Sequence, residues 1–195
     1  MTRDRFISLV SAEQEGLRKF LLALCRGNEA DADDLCQETL LKAYLSYDGF
    51  VERFKFSTWL YKIAYNTFVD FSRKTQHEVA ASECLADHAA EGIAEIADDS
   101  SGDYRYEPLY RALDGLPINE QTALLLFYME DKSILDIALI MRKPMGTIKS
   151  YLSRGRVHLK NVLQTDGRTT ENDGSNRANN RLNNIITSIC RKIKT

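Results

Sequence analysis

The stretch "YLSYDGFVERFKFSTWLYKIAYNTFVDF", residues 44 to 71, does most to narrow what this chain can fold into. Its 28 positions hold ten of the chain's eighteen aromatic side chains (one Trp, nine Tyr, eight Phe). Leu60, Ile63, Ala64, Thr67, Phe68 and Phe71 recur at i, i+3, i+4 and i+7, which on a helix is a single face. The spacing predicts a helix capped by Ser57 or Thr58 and ending near Lys74. Phe68, Phe71 and Tyr44 are assigned to the core by their phase, whereas Tyr61, Lys62, Tyr65 and Asn66 fall off the apolar face. Arg53, Lys55, Lys62, Arg73 and Lys74 lie in or directly beside the stretch. Rings among cations can pack a core, but they can also receive unstacked bases.

Most of the remaining chain also carries helical rhythm, and no strand-like alternation of any length occurs. Phe6, Leu9, Val10, Leu17, Phe20, Leu21 and Leu24 form one stripe that ends at Gly27. A second helix is expected to open near Asp31 or Asp33, where acids suit the positive end of the dipole, and to stop at "DG" after Tyr47. Its inner stripe reads Cys36, Leu40, Ala43, Tyr44 and Tyr47, with Asp34, Gln37, Glu38 and Leu41 on another face. From about Thr75 to Asp103 the pattern fades into an acidic, small-residue segment read as a linker. Helical periodicity returns from Tyr104 to about Leu163. Beyond it lies a polar tail, read as disordered, with a candidate amphipathic helix through Leu182, Ile185, Ile186, Ile189 and Ile193.

Composition excludes several classes. At 195 residues the chain suits one medium domain or two small ones. No apolar run approaches the roughly 20 residues that span a bilayer, so membrane insertion is not expected. The opening "MTRDRFISLV" has neither a long apolar core nor a small-residue cleavage site, so no secretion signal is expected. Cys25, Cys36, Cys84 and Cys190 form no CxxC pair and, with three scattered histidines, give no zinc spacing. Free thiols in a reducing cytoplasm, and no cofactor, follow as expectations. The net charge of −2 hides a sorting along the chain. Residues 31–48 carry five acids against Lys42, residues 78–107 nine acids against Arg105, and residues 141–163 six cations and no acid. Such blocks point to different partners for different segments.

The basic block lies inside "LPINEQTALLLFYMEDKSILDIALIMRKPMGTIKSYLSRGRVHLKNVL", which is punctuated as three short helices. Pro117 and Asn119 open the first, and Ser133 caps the second, whose Ile134, Ile137, Ala138 and Met141 point inward. "RKPMG" breaks the chain, and Thr147 is the expected cap of the third. There Ile148, Leu152, Leu159 and Val162 pack inward, while Lys149, Ser150, Ser153, Arg154 and Arg156 project outward. A short polar residue and long cations in the first turns of such a helix suit the major groove and its phosphates. An ordinary solvated basic helix is the plainer alternative.

"DADDLCQETLLKAY", "FSTWLYKIAYN" and "MGTIKSYLSRGRVHLK", in this order and spacing, resemble bacterial extracytoplasmic-function sigma factors over about residues 6–163. The resemblance implies an all-α fold of two small helical domains. A region 2 domain spans 1–77, an acidic linker 78–103, a region 4 helix-turn-helix domain 104–163 and a tail 164–195. It implies core RNA polymerase and promoter DNA as partners, an anti-sigma factor as a possible regulator, and no catalysis. Asp34, Gln37, Glu38 and Leu41 would meet the polymerase clamp. Phe50, Arg53, Phe54, Lys55, Phe56, Trp59, Tyr61, Lys62, Tyr65 and Asn66 would border the minus-ten strand. Residues 50 to 55 would be the loop that takes a flipped base, and Trp59 could instead cover the core edge. Thr147, Lys149, Ser150, Ser153, Arg154 and Arg156 would contact the minus-thirty-five duplex.

Three positions depart from the family pattern. Arg142 stands at the glycine of the turn, where a left-handed backbone costs a non-glycine residue roughly 1 kcal/mol and would favour a reshaped turn. Tyr151 replaces a usual basic residue. Leu135 and Leu139 replace usual acids, forming either an apolar patch for a partner or a wider buried stripe. Two other functional classes are weighed: an autonomous duplex-binding regulator, and a small helical enzyme using Asp33, Asp34 and Glu38 around a metal.

Overall fold

A computed structural model describes residues 3–50, 55–83, 113 and 115–166, with side chains for 3–50, 55–75, 113 and 115–161. The described residues form six α-helices and one 3-10 turn, and no strand occurs among them. The helices are α1 (Arg3–Leu24), α2 (Glu29–Ser46), α3 (Phe56–Glu83), α4 (Ile118–Tyr128), α5 (Ile134–Met141) and α6 (Met145–Asp166), and the turn is Tyr47–Gly49. Most of the linker and the tail beyond Asp166, including the candidate helix through Ile185 and Ile189, lie outside the described residues.

Helices α1, α2 and α3 pack on one another as the first domain. Leu17, Phe20 and Leu21 of α1, Ala32 of α2, and Leu60 and Ala64 of α3 are fully buried there. The end of α1 is set by backbone geometry: Arg26 and Gly27 adopt φ +57° and +84°, and the Gly27 amide donates to the Leu22 carbonyl at 3.0 Å. Helix α2 begins earlier than its acids suggest. Asn28 is the N-cap, its side chain accepting from the Asp31 amide at 3.2 Å, so the asparagine rather than an aspartate opens the helix. Phe6, Tyr47, Phe50, Phe56 and Trp59 then close one end of the bundle, with ring centroids 4.8 Å apart for Phe6–Tyr47 and 5.2 Å for Phe50–Trp59. Each such pair adds roughly 0.5–1.5 kcal/mol beyond its area burial.

Helix α3 differs from expectation at both ends. The Trp59 amide donates to the Lys55 carbonyl, so the helix starts before Ser57 and Thr58. Its backbone stays helical to Glu83, past Lys74, because no glycine or proline interrupts 75–83. Tyr44, expected in the core, is half exposed and touches Phe6 only by an edge contact at 5.5 Å. Phe68 is buried, and Phe71 is half-buried.

Helices α4, α5 and α6 form the second domain. Ser133 and Asp136 cap α5 reciprocally: each side chain accepts from the other residue's amide, at 3.1 and 3.3 Å. Arg142 occupies the left-handed region at φ 52°, ψ 45°. The turn therefore keeps its usual shape, and Arg142 bears the strain. Helix α6 opens at Met145, with the Ile148 amide donating to the Pro144 carbonyl, one turn before the expected cap at Thr147. Proline fits there because a helix start has no use for its missing donor.

The two domains are packed together, α3 against α5 and α1 against α4. Seven consecutive residues of α4, Glu120 to Leu126, are buried, which an amphipathic helix on a single core could not achieve.

Candidate nucleic-acid interface

Three surfaces carry the residues singled out by sequence. On α2, Asp34, Gln37, Glu38 and Leu41 are all exposed, on positions three or four apart. Tyr44 and Leu45 extend this face with apolar area; Leu41 is 58% exposed and Leu45 74%. Lys42 holds Glu38 at 2.7 Å and reaches the Thr67 hydroxyl at 3.3 Å, pinning the edge of the face to α3. Asp33 is turned elsewhere. Its carboxylate takes the Arg18 guanidinium at 2.6 and 3.2 Å, and that hydrogen bond keeps the carboxyl below the usual range. No cluster of three His, Cys, Asp or Glu placed to hold a metal occurs among the described residues.

On α6, Lys149, Ser150, Ser153 and Arg154 are exposed along one side and Thr147 is half-buried. Thr147, Ser150, Ser153 and Arg154 line an open concavity together with Pro144 and Gly146. Ile148, Leu152 and Leu159 on the opposite side are buried. Arg154 is braced from behind, 3.3 Å from the Glu120 carboxylate and 5.5 Å from the centre of the Tyr151 ring. His158 Nδ1 lies 2.8 Å from the same carboxylate. Glu120, only 4% exposed, thus ties the middle of α6 to α4. Sequence reasoning missed it, because a lone acid in an apolar helix gives no sign of its partners. Arg156, expected beside Arg154, is instead half-buried, its guanidinium 6.0 Å from the Tyr128 ring. Leu135 and Leu139 are 59% and 39% exposed, so they do not widen the buried stripe of α5.

The α3 surface is covered. Tyr61 is fully buried and Tyr65 is 8% exposed, against the expectation that both stand off the core. Two neighbours cause this: Phe20 of α1, 5.3 Å from the Tyr61 ring, and the whole second domain. The Tyr61 hydroxyl donates to Glu130, and Lys132 sits 4.5 Å over the Tyr61 ring. Burial, then the adjacent Glu130 charge, pushes the Tyr61 hydroxyl far above the ordinary tyrosine range, so it stays a donor. Tyr65 donates to the Asn119 side chain at 3.2 Å, and Thr58 to Asp136 at 3.0 Å. Lys55 lies 3.7 Å from Asp136. Phe56 is buried, while Phe50, Trp59, Lys62 and Asn66 are half-buried; Arg53 and Phe54 lie outside the described residues.

Comparison with known proteins decides the family. The Sigma-70 region 2 family matches residues 9–78, and the Sigma-70 region 4 family matches residues 106–159. The ECF RNA polymerase sigma factor SigW of Bacillus subtilis is 30% identical over 172 residues, covering 83% of this chain and 90% of its own. EcfG of Rhodopseudomonas palustris, another ECF RNA polymerase sigma factor, is 34% identical over 165 residues, covering 85% and 86%. The chain belongs to the ECF RNA polymerase sigma factors. Its fold matches the sigma factor RpoE of Bartonella quintana, solved in complex with the anti-sigma factor NepR, at a TM-score of 0.69. That match has 30% identity and covers 85% of this chain and all of the other. CnrH, solved with the cytosolic domain of CnrY, shares the fold at a TM-score of 0.63 and 19% identity. In this sigma factor the α4–α6 unit is region 4 and the α1–α3 bundle is region 2. Sigma factors are non-catalytic transcription factors that act with RNA polymerase, and no described helix here is long and apolar enough to cross a membrane.

Proposed function

We propose that the chain docks on core RNA polymerase through the α2 face of Asp34, Gln37, Glu38 and Leu41 and serves as its promoter-reading subunit in the cytoplasm. Lys149, Ser150, Ser153 and Arg154 contact the minus-thirty-five duplex. Phe50, Arg53, Phe54, Lys55, Phe56, Trp59, Tyr61, Lys62, Tyr65 and Asn66 border the opened minus-ten strand. The chain brings no chemistry of its own; polymerase makes the RNA. An anti-sigma factor holds it inactive, by analogy with the complex of RpoE with the anti-sigma factor NepR.

The carrying observation is the open face of α6. A helix-turn-helix presents four polar or cationic side chains in the first turns of its second helix, with Glu120 bracing Arg154 from behind. Such a helix enters a major groove end-on and reads base edges near its start. Core polymerase with and without the chain, on fragmented genomic DNA, tests the reading by sequencing transcript 5′ ends. Discrete new start sites sharing an upstream element are expected. Leu41→Asp should abolish them while leaving the melting temperature unchanged, since Leu41 is exposed.

A further inference from the structure

Glu120 is a buried acid in the first turn of α4, 4% exposed and the first of seven consecutive buried residues. A buried carboxylate is costly unless cations or donors meet it. Both of its oxygens are met from α6: Oε1 lies 3.3 Å from Arg154 Nε, and Oε2 lies 2.8 Å from His158 Nδ1. Arg154 and His158 are four residues apart, hence neighbours on one side of the helix, and Glu120 lies beneath both. Gly155, next to Arg154, lets the two helices close on this spot. A Cβ there would come within 2.8 Å of the Leu124 side chain and 3.4 Å of the Glu120 Cβ. A mid-helix glycine weakens α6, yet it is what brings α4 near enough for its acid to reach the reading side.

Arg154 is restrained on two sides and open on the third. Its Nε edge is held from within the fold, and its guanidinium lies 5.5 Å from the centre of the Tyr151 ring. The side chain is still 59% exposed and lines the concavity with Thr147, Ser150 and Ser153. A guanidinium held at its Nε edge turns its two terminal amino groups the other way, and that pair of donors matches O6 and N7 of guanine. The adjacent carboxylate also offsets much of the charge that a phosphate would feel at a distance. What remains is a directional pair of donors, which suits a base edge better than a backbone. Restraint before binding also lessens the rotamer freedom lost in the complex. Resting on the assignment of α6 to the minus-thirty-five duplex, we propose that Glu120 is a positioning residue for promoter selectivity. From inside the fold it aims Arg154 at a guanine and keeps it off the phosphates, while His158 fixes the second carboxylate oxygen. Glu120 itself touches no DNA.

Core polymerase carrying the full-length chain, bound to a promoter library randomised across the upstream element, tests the proposal by sequencing of the bound DNA. The wild type should favour guanine at one upstream position by roughly tenfold or more. Arg154→Lys, which keeps the charge and loses the fork, should erase that preference. Glu120→Gln, nearly isosteric, should cut it several-fold, while binding to promoters with other bases at that position holds or rises. A general loss of folding would instead weaken every sequence alike. Should Glu120→Gln fail to fold, His158→Ala, at an exposed position, should give the same change at smaller size. Salt dependence separates base from phosphate: a lost phosphate contact lowers the slope of log affinity against log salt by about one, and Arg154→Ala should leave it nearly unchanged. A guanine preference indifferent to Arg154→Lys overturns the proposal, as does a slope lowered by about one in Arg154→Ala. An unchanged base profile, or a uniform loss across bases, in the folded Glu120→Gln or His158→Ala also overturns it. Mapped transcript starts separate the two readings. Initiation at discrete sites with a profile indifferent to Glu120 sinks only the positioning role, whereas no initiation at all sinks the promoter-reading assignment beneath it.

Discussion

Helices α3 and α6 each present polar and cationic side chains suited to nucleic acid, yet they end in opposite surroundings. On α6, Lys149 and Ser150 stand in solvent beside an open concavity. On α3, Tyr61 is fully buried, and both Thr58 and Tyr65 are hydrogen-bonded to the other domain. The difference follows from what each face must meet. A duplex offers its groove edges without being opened, so the reading helix needs only a charged, polar side. A melted strand needs aromatic surface, and aromatic surface left bare in water is unfavourable by roughly 25 cal/mol for each Å². A face of rings is therefore the one that gains by being covered until its ligand exists.

The contrast can be broken most severely at the open face. Lys149→Ala with Arg154→Ala should remove roughly 1–3 kcal/mol per contact from duplex binding. Holoenzyme transcription would then fall by tens- to hundreds-fold, while the Thr58–Asp136 and Tyr65–Asn119 contacts between the domains persist. Tyr65→Ala should act on the other side. Loss of one stacked base costs roughly 1–3 kcal/mol, read as fewer permanganate-reactive thymines at the minus-ten element, with duplex affinity unchanged. Ser133→Ala should lower stability by about 0.5–2 kcal/mol through the lost cap. Because Asp136 serves both that cap and Thr58, the effects of Ser133→Ala and Thr58→Ala on the melting temperature should be non-additive.

Acid should have the smallest effect. Burial would raise the Asp136 carboxyl, but hydrogen bonds from Ser133 and Thr58 and the charge of Lys55 outweigh it, leaving the carboxyl below its ordinary 3.8. A group held low in the folded state contributes stability that is fully present above 3.8 and is lost as pH falls through its lower value. The packing of the two domains, followed by the single Trp59, should thus loosen at the acid edge in the wild type and show a weaker pH dependence in Asp136→Asn.

The order of helices, the capping of α5 and the polar side of α6 were legible from sequence because each depends on residues near one another in the chain. Ser133 and Asp136 are three apart, and Lys149, Ser150 and Ser153 lie within two turns. Boundaries were less so: Asn28 outcompetes the acids behind it as a cap, and α3 continues past Lys74 because nothing breaks it. The state of Tyr61 and Tyr65 was not legible from α3 alone, since helical phase reports which side faces the bundle and says nothing of a second domain. A signal did exist elsewhere. In "EQTALLL" of α4 the polar Glu120, Gln121 and Thr122 are consecutive and so gather on no one side of the helix, and a helix buried all round needs more than one neighbour.

Permanganate footprinting of a promoter-bearing duplex tests the central division of labour most directly, with the chain alone, with core polymerase alone and with both. The account predicts reactive thymines at the minus-ten element only when both are present, together with upstream protection that Lys149→Ala with Arg154→Ala removes. Strand opening by the chain alone, or opening by the holoenzyme that survives loss of both Tyr61 and Tyr65 side chains beyond Cβ, would contradict it.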